Sequence, residues 1–204
     1  MKNFSRRLLF SIAALTGGGL AFRYLKRNHA ALGLDSWFLK SGDRQGWKYI
    51  VIHHSATSAG SDKSFHKYHT DQGWGGLAYH FVIGNGKGMK DGELATGFRW
   101  KNQSIGTHVS VNSWDYNIFG IGICLVGNFE KSQPSPKQWK TLVKLAVKLA
   151  QKHKIPVENI LGHQKVPFDD DPKKSEQTLC PGSKLSIMKL RRDVELKLAQ
   201  LKAK

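Results

Sequence analysis

Two histidines and one cysteine, far apart in the chain, are the side chains best suited to hold a metal ion. His53 ends an apolar run that begins at Tyr49. His163 follows a short apolar stretch that begins at Ile160, and Cys180 precedes a Pro-Gly pair. Imidazole and thiolate are borderline-soft ligands that suit Zn²⁺, and three protein ligands leave a fourth position for water. These residue types predict a catalytic zinc site in a metal-dependent hydrolase.

His53 has a histidine neighbour, His54, and only one of the two can face a given metal. Successive side chains of a strand point to opposite faces of its sheet, so His53 shares a face with Val51 and His54 lies on the other. Periodicity alone does not say which of them is the ligand, and it separates Tyr79 from His80 in the same way. A lone histidine is more often packed or solvated than metal-bound, so residue type alone leaves the site a hypothesis.

The elements that must position these residues are strands that alternate with helices. Apolar runs rich in β-branched residues predict strands over residues 49–54, 79–83 and 120–126, and Asn85-Gly86 predicts a turn after the second strand. Residues 62–72 predict a short helix. This alternation predicts an α/β domain, with a central sheet covered by helices. His53 and His163 would then lie at strand ends, where open sheets place their ligands.

The strongest helix signal covers residues 136–153. Ser135 suits the N-cap, Pro136 the first helical position, and Gln138 completes a capping box. Its inward stripe consists of Trp139, Leu142, Val143, Ala146, Leu149 and Ala150, with Lys140, Lys144 and Lys148 away from it. A last amphipathic helix over residues 186–202 is expected to turn inward Ile187, Leu190, Val194 and Leu201.

The chain is strongly basic. Its 204 residues carry a formal net charge of +17, and residues 1–27 contribute six basic residues and no acidic one. This excess predicts an anionic partner, either nucleic acid or a cell wall rich in carboxylates and phosphates. The basic residues are spread along the chain without a nucleic-acid-binding motif, so we expect no nucleic-acid partner.

The N-terminus has the composition of an export signal. Arg6-Arg7 precedes an apolar segment over residues 8–22, which is short for a membrane span, and the basic pair with its flanks is similar to a twin-arginine signal. Basic residues follow directly, so a membrane tether through residues 8–22 stays open. We expect an export signal or anchor over 1–27, a linker over 28–46 and a catalytic domain over 47–204. The expected location is the periplasm or cell envelope.

The chain has two cysteines. Cys124 lies in an apolar run and is expected to be buried in a strand, where cysteine behaves as a small hydrophobic residue. A disulfide between Cys124 and Cys180 is allowed by count in an exported protein, but metal binding is the better use of Cys180.

Several short motifs surround these residues in a fixed order. They are Val51-Ile52-His53-His54-Ser55, Ala78-Tyr79-His80-Phe81, Gly120-Ile121-Gly122-Ile123, Gly127-Asn128-Phe129, Gly162-His163 and Thr178-Leu179-Cys180-Pro181-Gly182. The chain thereby resembles the zinc-dependent N-acetylmuramoyl-L-alanine amidases of type two, which include phage lysozyme-type amidases and peptidoglycan recognition proteins. The resemblance covers residues 49–182 and implies a single α/β (α+β) domain with a mixed central sheet flanked by helices.

The resemblance also implies roles for individual residues. The zinc ligands would be His53, rather than His54, with His163 and Cys180. The implied reaction is hydrolysis of the amide bond between N-acetylmuramic acid and L-alanine in bacterial peptidoglycan, by a monomer. The alternative is a non-catalytic peptidoglycan-binding module, but binding-only members typically lack a complete ligand set.

Three further positions match the family pattern. Tyr79 matches the active-site tyrosine, and Thr178 falls where members have a catalytic lysine or threonine. His108 matches a histidine that lines the substrate groove.

The segment before Cys180 is longer than in compact members and carries Asp169-Asp170-Asp171, which predicts a loop at the rim of the groove.

Overall fold

The centre of the structure is a five-stranded sheet. The computed structural model describes residues 46–203, so the predicted export signal and almost all of the predicted linker lie outside the described residues. The strands are β1 (Tyr49–His54), β2 (Phe81–Ile83), β3 (Leu94–Thr96), β4 (Gly120–Leu125) and β5 (Ile160–Gly162). Their order is β3-β2-β4-β1-β5, with only β3 antiparallel to its neighbour. The predicted mixed sheet is confirmed.

The helices are α1 (Asp62–Asp71), α2 (Phe98–Lys101), α3 (Trp114–Phe119), α4 (Pro136–His153) and α5 (Ile187–Lys202). Three of them, α1, α4 and α5, lie where the sequence predicts them. The sequence did not predict α2, α3 or β3, which span four, six and three residues and are too short to show a periodicity. No helix within residues 46–203 combines the length and apolarity needed to cross a bilayer.

The start of α4 follows the predicted capping box. The Ser135 hydroxyl accepts from the Gln138 backbone N at 3.0 Å, and the Gln138 side chain accepts from the Ser135 N at 3.1 Å. The Gln138 amide also donates to the Val126 carbonyl at 2.9 Å. The cap therefore supplies an acceptor to a backbone N–H group in the first turn of the helix. The Gln138 amide also links α4 to the residue that follows β4.

One face of the sheet packs on the main hydrophobic core, and the other carries His53. Ile50 and Ile52 of β1 point into the main core, which α4 and α5 cover. The opposite face of β1 carries Val51 and His53. In α5, the predicted inward residues are confirmed except Leu201, which is 49% exposed. That prediction was wrong because the packing of α5 against the core ends at Leu198 and the last turn of the helix extends beyond it.

Candidate active site

Two neighbouring strands bring the predicted ligands to one edge of the sheet. Strands β1 and β5 are parallel and Ile52 pairs with Gly162, so His53 near the end of β1 and His163 directly after β5 lie side by side. The irregular segment after His163 returns to this edge, where the Gln164 N donates to the Cys180 carbonyl at 2.7 Å. The ligand atoms of the two histidines and the cysteine all lie within 4.8 Å of one another.

His54 lies outside this cluster but supports it. Its Nδ1 accepts a hydrogen bond from the Phe129 N at 3.2 Å, on the opposite side of β1 from His53. Its backbone N donates to the Cys180 Sγ at 3.3 Å. An N–H donor favours the ionised form of a thiol, so His54 helps Cys180 to act as a thiolate ligand through its backbone.

The protonation of the three residues fits a cation site. Burial, and next the charge of neighbouring histidines, lowers the pKa of His53 well below its usual range. Burial also lowers the pKa of His163, and it raises the pKa of the Cys180 thiol to about 12. Without a cation the cluster is therefore two neutral imidazoles and a thiol at pH 7. A divalent metal would replace the thiol proton and use the imidazole lone pairs.

Two further observations support the fit of a metal. The His163 Nε2 is buried and, among residues 46–203, has no hydrogen-bond partner. The Glu176 Oε2 lies 3.9 Å from this nitrogen, so a carboxylate adds negative charge beside the cluster. A buried polar atom in a native protein normally has a partner, and a metal would supply one here. Two nitrogen donors and one sulfur donor are a set that suits Zn²⁺.

His108 lies directly behind His53. The His108 Nε2 is 3.3 Å from the Gly120 carbonyl, which can only accept, so this nitrogen carries the proton. The His108 Nδ1 is then an acceptor, and the His53 Nε2, 3.1 Å away, donates to it. This leaves the His53 Nδ1 unprotonated, 3.7 Å from the Cys180 Sγ. A backbone carbonyl thus sets the tautomer of a predicted ligand through His108.

Two glycines make room for the His108 ring. A Cβ at Gly106 would lie 2.3 Å from the His108 Cδ2, and one at Gly122 would lie 2.5 Å from it. The Asn117 Oδ1 accepts from the His108 N at 2.8 Å. The residue is 6% exposed, with both ring nitrogens engaged by protein. Its contact with substrate stays a prediction, and this geometry gives it a positioning role toward His53.

We expect His108→Ala to weaken zinc binding by about 10-fold to 100-fold, the usual cost of losing a partner of a ligating histidine. The cause is that the His53 Nε2 loses its acceptor, so the imidazole is free to rotate and to change tautomer. Competition with a chelator measures the zinc affinity directly, without any activity assay. In His108→Asn the side-chain oxygen can take the place of Nδ1, and most of the affinity should return. Equal zinc affinity in wild type and His108→Ala would rule the positioning role out.

Tyr79 lies beside the cluster. Its ring centroid is 5.1 Å from that of His53, and its hydroxyl lies near the Cys124 thiol. Burial, and next the neighbouring cysteines, raises the pKa of Tyr79 well above its usual range. The phenol is therefore a hydrogen-bond donor at neutral pH. Cys124 is fully buried, as predicted, but its place beside Tyr79 was missed; its register opposite His53 on β4 puts both side chains on one face.

Thr178 and Glu176 lie in the irregular segment that leads to Cys180. The Thr178 Oγ1 accepts from the Cys180 N at 3.1 Å, which leaves the hydroxyl proton free to donate. The Glu176 Oε1 accepts from the Ser110 N at 2.9 Å, while its other oxygen faces His163. Sequence reasoning missed Glu176. Glu176 lies in a segment without regular secondary structure, so no helix or strand periodicity pointed to it.

An aromatic wall continues from Tyr79. The rings of His69 and Trp74 stack at 5.0 Å, and the His69 ring lies 5.4 Å from that of Tyr79. Trp74 is 39% exposed and Tyr68 57% exposed. The His69 Nδ1 accepts from the backbone N of Ala78, so this histidine holds the wall in place.

The acidic loop lies against α3. The Asp169 N donates to the Asn112 carbonyl at 2.7 Å, and the Asp169 carboxylate accepts from the Asp115 N at 3.1 Å. A bridge between Pro167 and Ser175 closes the base of the loop. The predicted place of this loop at the rim of a substrate groove stays a prediction.

Comparison with known proteins gives consistent matches. The model of a family described as N-acetylmuramoyl-L-alanine amidase matches residues 43–183. The endolysin of Klebsiella phage KP32 is 33% identical over 114 residues, which are 52% of this chain and 68% of the endolysin. The amidase LysC from Clostridium intestinale is 26% identical with a TM-score of 0.60, over 74% of this chain and 87% of LysC. A variant of Drosophila PGRP-LB in complex with tracheal cytotoxin is 27% identical with a TM-score of 0.53, over 72% and 82% of the respective chains.

Proposed function

This chain belongs to the N-acetylmuramoyl-L-alanine amidase family, and we propose that a zinc ion held by His53, His163 and Cys180 supports its hydrolysis of amide bonds in bacterial peptidoglycan. The observation that carries the zinc site is the approach of three suitable ligand atoms to within 4.8 Å. The bond cleaved is the one between N-acetylmuramic acid and the L-alanine of the stem peptide. The complete ligand set favours this enzyme over a module that only binds peptidoglycan.

The residues around the ligands have different roles in the proposed reaction. When bound, zinc acts as a Lewis acid toward the amide carbonyl and lowers the pKa of water to about 7. Tyr79, as a neutral phenol, donates a hydrogen bond to the oxyanion that develops on the carbonyl oxygen. Thr178 holds the backbone of Cys180 and has a proton left for a second such bond. His108 fixes the orientation of His53, so the site requires little rearrangement when substrate binds.

We also propose that the protein is a monomer that acts outside the cytoplasm. The support for export is the basic pair and apolar segment at the N-terminus, over residues 1–27. Residues 8–22 would either be removed with the signal or keep the enzyme at the membrane. Fractionation of cells that produce the full-length chain, followed by mass measurement of the recovered protein, distinguishes these two outcomes.

The proposed function is tested on purified peptidoglycan with mass spectrometry of the products. We expect the protein to release free stem peptides that begin at L-alanine and to leave the glycan strands uncut. Treatment with a zinc chelator should stop the release, and added zinc should restore it. Peptidoglycan binding without any product would favour the binding module. Cleavage of the sugar chain, or release that a chelator does not change, would contradict the proposal.

A further inference from the structure

Within residues 46–203, the excess of positive over negative charge is concentrated on two helices. Helices α4 and α5 carry ten basic and two acidic residues, whereas the rest of residues 46–203 has thirteen basic and eleven acidic ones. The rest of the domain is thus close to neutral. The excess charge of the described domain is therefore a local property of the α4–α5 surface.

The lysines of α4 form an uncompensated stripe. The helix has five lysines and no acidic residue, and Lys140, Lys144, Lys148 and Lys152 follow one another at intervals of four. All four are exposed, and within residues 46–203 none of them has an ion pair or a side-chain hydrogen bond. Like charges at this spacing repel each other along a helix and weaken it. An anionic partner outside the chain would remove this repulsion.

Large apolar side chains lie exposed on the neighbouring helix. Met188 is 80% exposed, Leu196 56% and Leu201 49%, so α5 holds three of the eight exposed large hydrophobic residues within residues 46–203. The exposed Arg192 lies between Met188 and Leu196 in the sequence. This surface therefore offers cations and apolar side chains together.

The two helices share one outer surface, on the opposite side of the sheet from the candidate site. Both bury a stripe in the core that contains Ile50 and Ile52, whereas His53 lies on the other face of β1. The helices also contact each other directly, since the Trp139 Nε1 of α4 donates to the Asp193 Oδ2 of α5 at 2.9 Å. A partner bound to the α4–α5 surface would leave the candidate site open.

We propose that the α4–α5 surface docks onto a bilayer that contains anionic lipids. Lysines near such a bilayer gain from its negative surface potential, and Met188 and Leu196 gain from insertion at the acyl boundary. A nucleic acid or an anionic wall polymer would match the lysines but offers no apolar layer for these side chains. The enzyme would lie on the membrane with its candidate site toward the wall. The inference is independent of the zinc site and of residues 1–45.

The lysine contribution is tested by co-sedimentation of the full-length chain with vesicles. We expect Lys140→Gln, Lys144→Gln and Lys148→Gln together to weaken binding to vesicles of phosphatidylglycerol and phosphatidylcholine, by about fivefold per lysine and so roughly 100-fold. Binding to pure phosphatidylcholine should not change between wild type and variant. Amidase activity on soluble muropeptides should also stay at the wild-type level.

A matched variant removes the same charge elsewhere. Lys63, Lys101 and Lys173 are exposed and lie outside α4 and α5. Their joint replacement by glutamine should weaken vesicle binding far less than the stripe variant does. Both variants keep residues 1–45, so any membrane binding by that segment is common to them. Equal affinities of the two variants for anionic vesicles would overturn the proposal.

A fluorescent probe tests the geometry even where residues 1–45 hold the chain on the vesicle. An environment-sensitive fluorophore on Leu196→Cys should shift to the blue with anionic vesicles, and the same dye on Lys63→Cys should not. A dye at position 196 that stays in water while the chain is bound would show the proposal to be wrong.

The apolar contribution separates a lipid surface from a soluble polyanion. Met188→Gln with Leu196→Gln should weaken binding to anionic vesicles by about tenfold and leave binding to polyphosphate unchanged. The opposite result would be a double variant that binds vesicles as tightly as the wild type, together with a lysine variant that no longer binds polyphosphate. The surface would then be a binding site for polyanions, and the lipid assignment would fail.

Discussion

Replacement of Cys180 by alanine is expected to remove both the bound zinc and the amidase activity. The thiolate is the one anionic donor of the three predicted ligands, and its loss leaves two neutral imidazoles to hold a dication. Loss of an indirect partner of a ligand costs about 10-fold to 100-fold in metal affinity, so loss of a direct ligand should exceed about 100-fold. Metal analysis after dialysis measures the zinc, and release of stem peptides measures the activity.

The second cysteine is the natural control for this experiment. Cys124 is also buried and also free, and its thiol lies beside Tyr79. Cys124→Ala should keep zinc and most of the activity, at a stability cost typical of a small core truncation, about 1 kcal/mol. A chelator should lower the melting temperature of the wild type and of Cys124→Ala, because removal of a bound metal destabilises the folded state. It should not change the melting temperature of Cys180→Ala, which has no bound metal to lose. Full zinc content in Cys180→Ala would refute the assigned ligand set.

The parts of this site that the sequence predicted are those carried by regular elements. His53 and His163 end apolar runs, and parallel strands with buried faces show as such runs in sequence. Helix α4 was predicted to its first residue because the Ser135 capping box is a local signal. Leu201 was assigned to the core because periodicity does not show where a helix leaves the body it packs on.

The parts that were not predicted depend on contacts between distant irregular segments. The family resemblance singled out His108, but its place behind His53 depends on two glycines, Gly106 and Gly122, that leave space for its ring. Glu176 reaches His163 from a segment without repeated secondary structure, where neither helix nor strand periodicity applies. The approach of Cys180 to His53 spans 127 positions of sequence and was supplied by family resemblance, not by local pattern.

Replacement of Tyr79 by phenylalanine is expected to separate catalysis from metal binding. The substitution removes one oxygen atom and keeps the ring that packs at 5.1 Å from His53 and 5.4 Å from His69. Zinc content and melting temperature should therefore stay near the wild-type values. The turnover rate should fall by about 100-fold to 1,000-fold, the usual cost of removing one donor to an oxyanion, with KM nearly unchanged.

The pKa of Tyr79 determines how the effect of this substitution on turnover should depend on pH. Burial raises the pKa of Tyr79 well above its usual range, so the hydroxyl keeps its proton, and remains a donor, throughout the neutral range. The ratio of wild-type to Tyr79→Phe turnover should accordingly be constant between roughly pH 6 and 9. A ratio that falls toward one as the pH rises would instead show that Tyr79 loses its proton, and with it the hydrogen bond it donates, within this range. A ratio that increases with pH would show that Tyr79 acts as a base.

A second tyrosine provides the matched control. Tyr116 in α3 packs on Tyr49 with their ring centroids 4.4 Å apart, and burial raises its pKa to about 12. Tyr116→Phe deletes the same atom from a phenol that is also protonated at neutral pH, and it should leave turnover unchanged. Loss of zinc from Tyr79→Phe, or turnover within about threefold of wild type, would remove Tyr79 from the chemistry. Either result would leave Thr178 as the predicted donor to the oxyanion, because its hydroxyl proton is not used by Cys180.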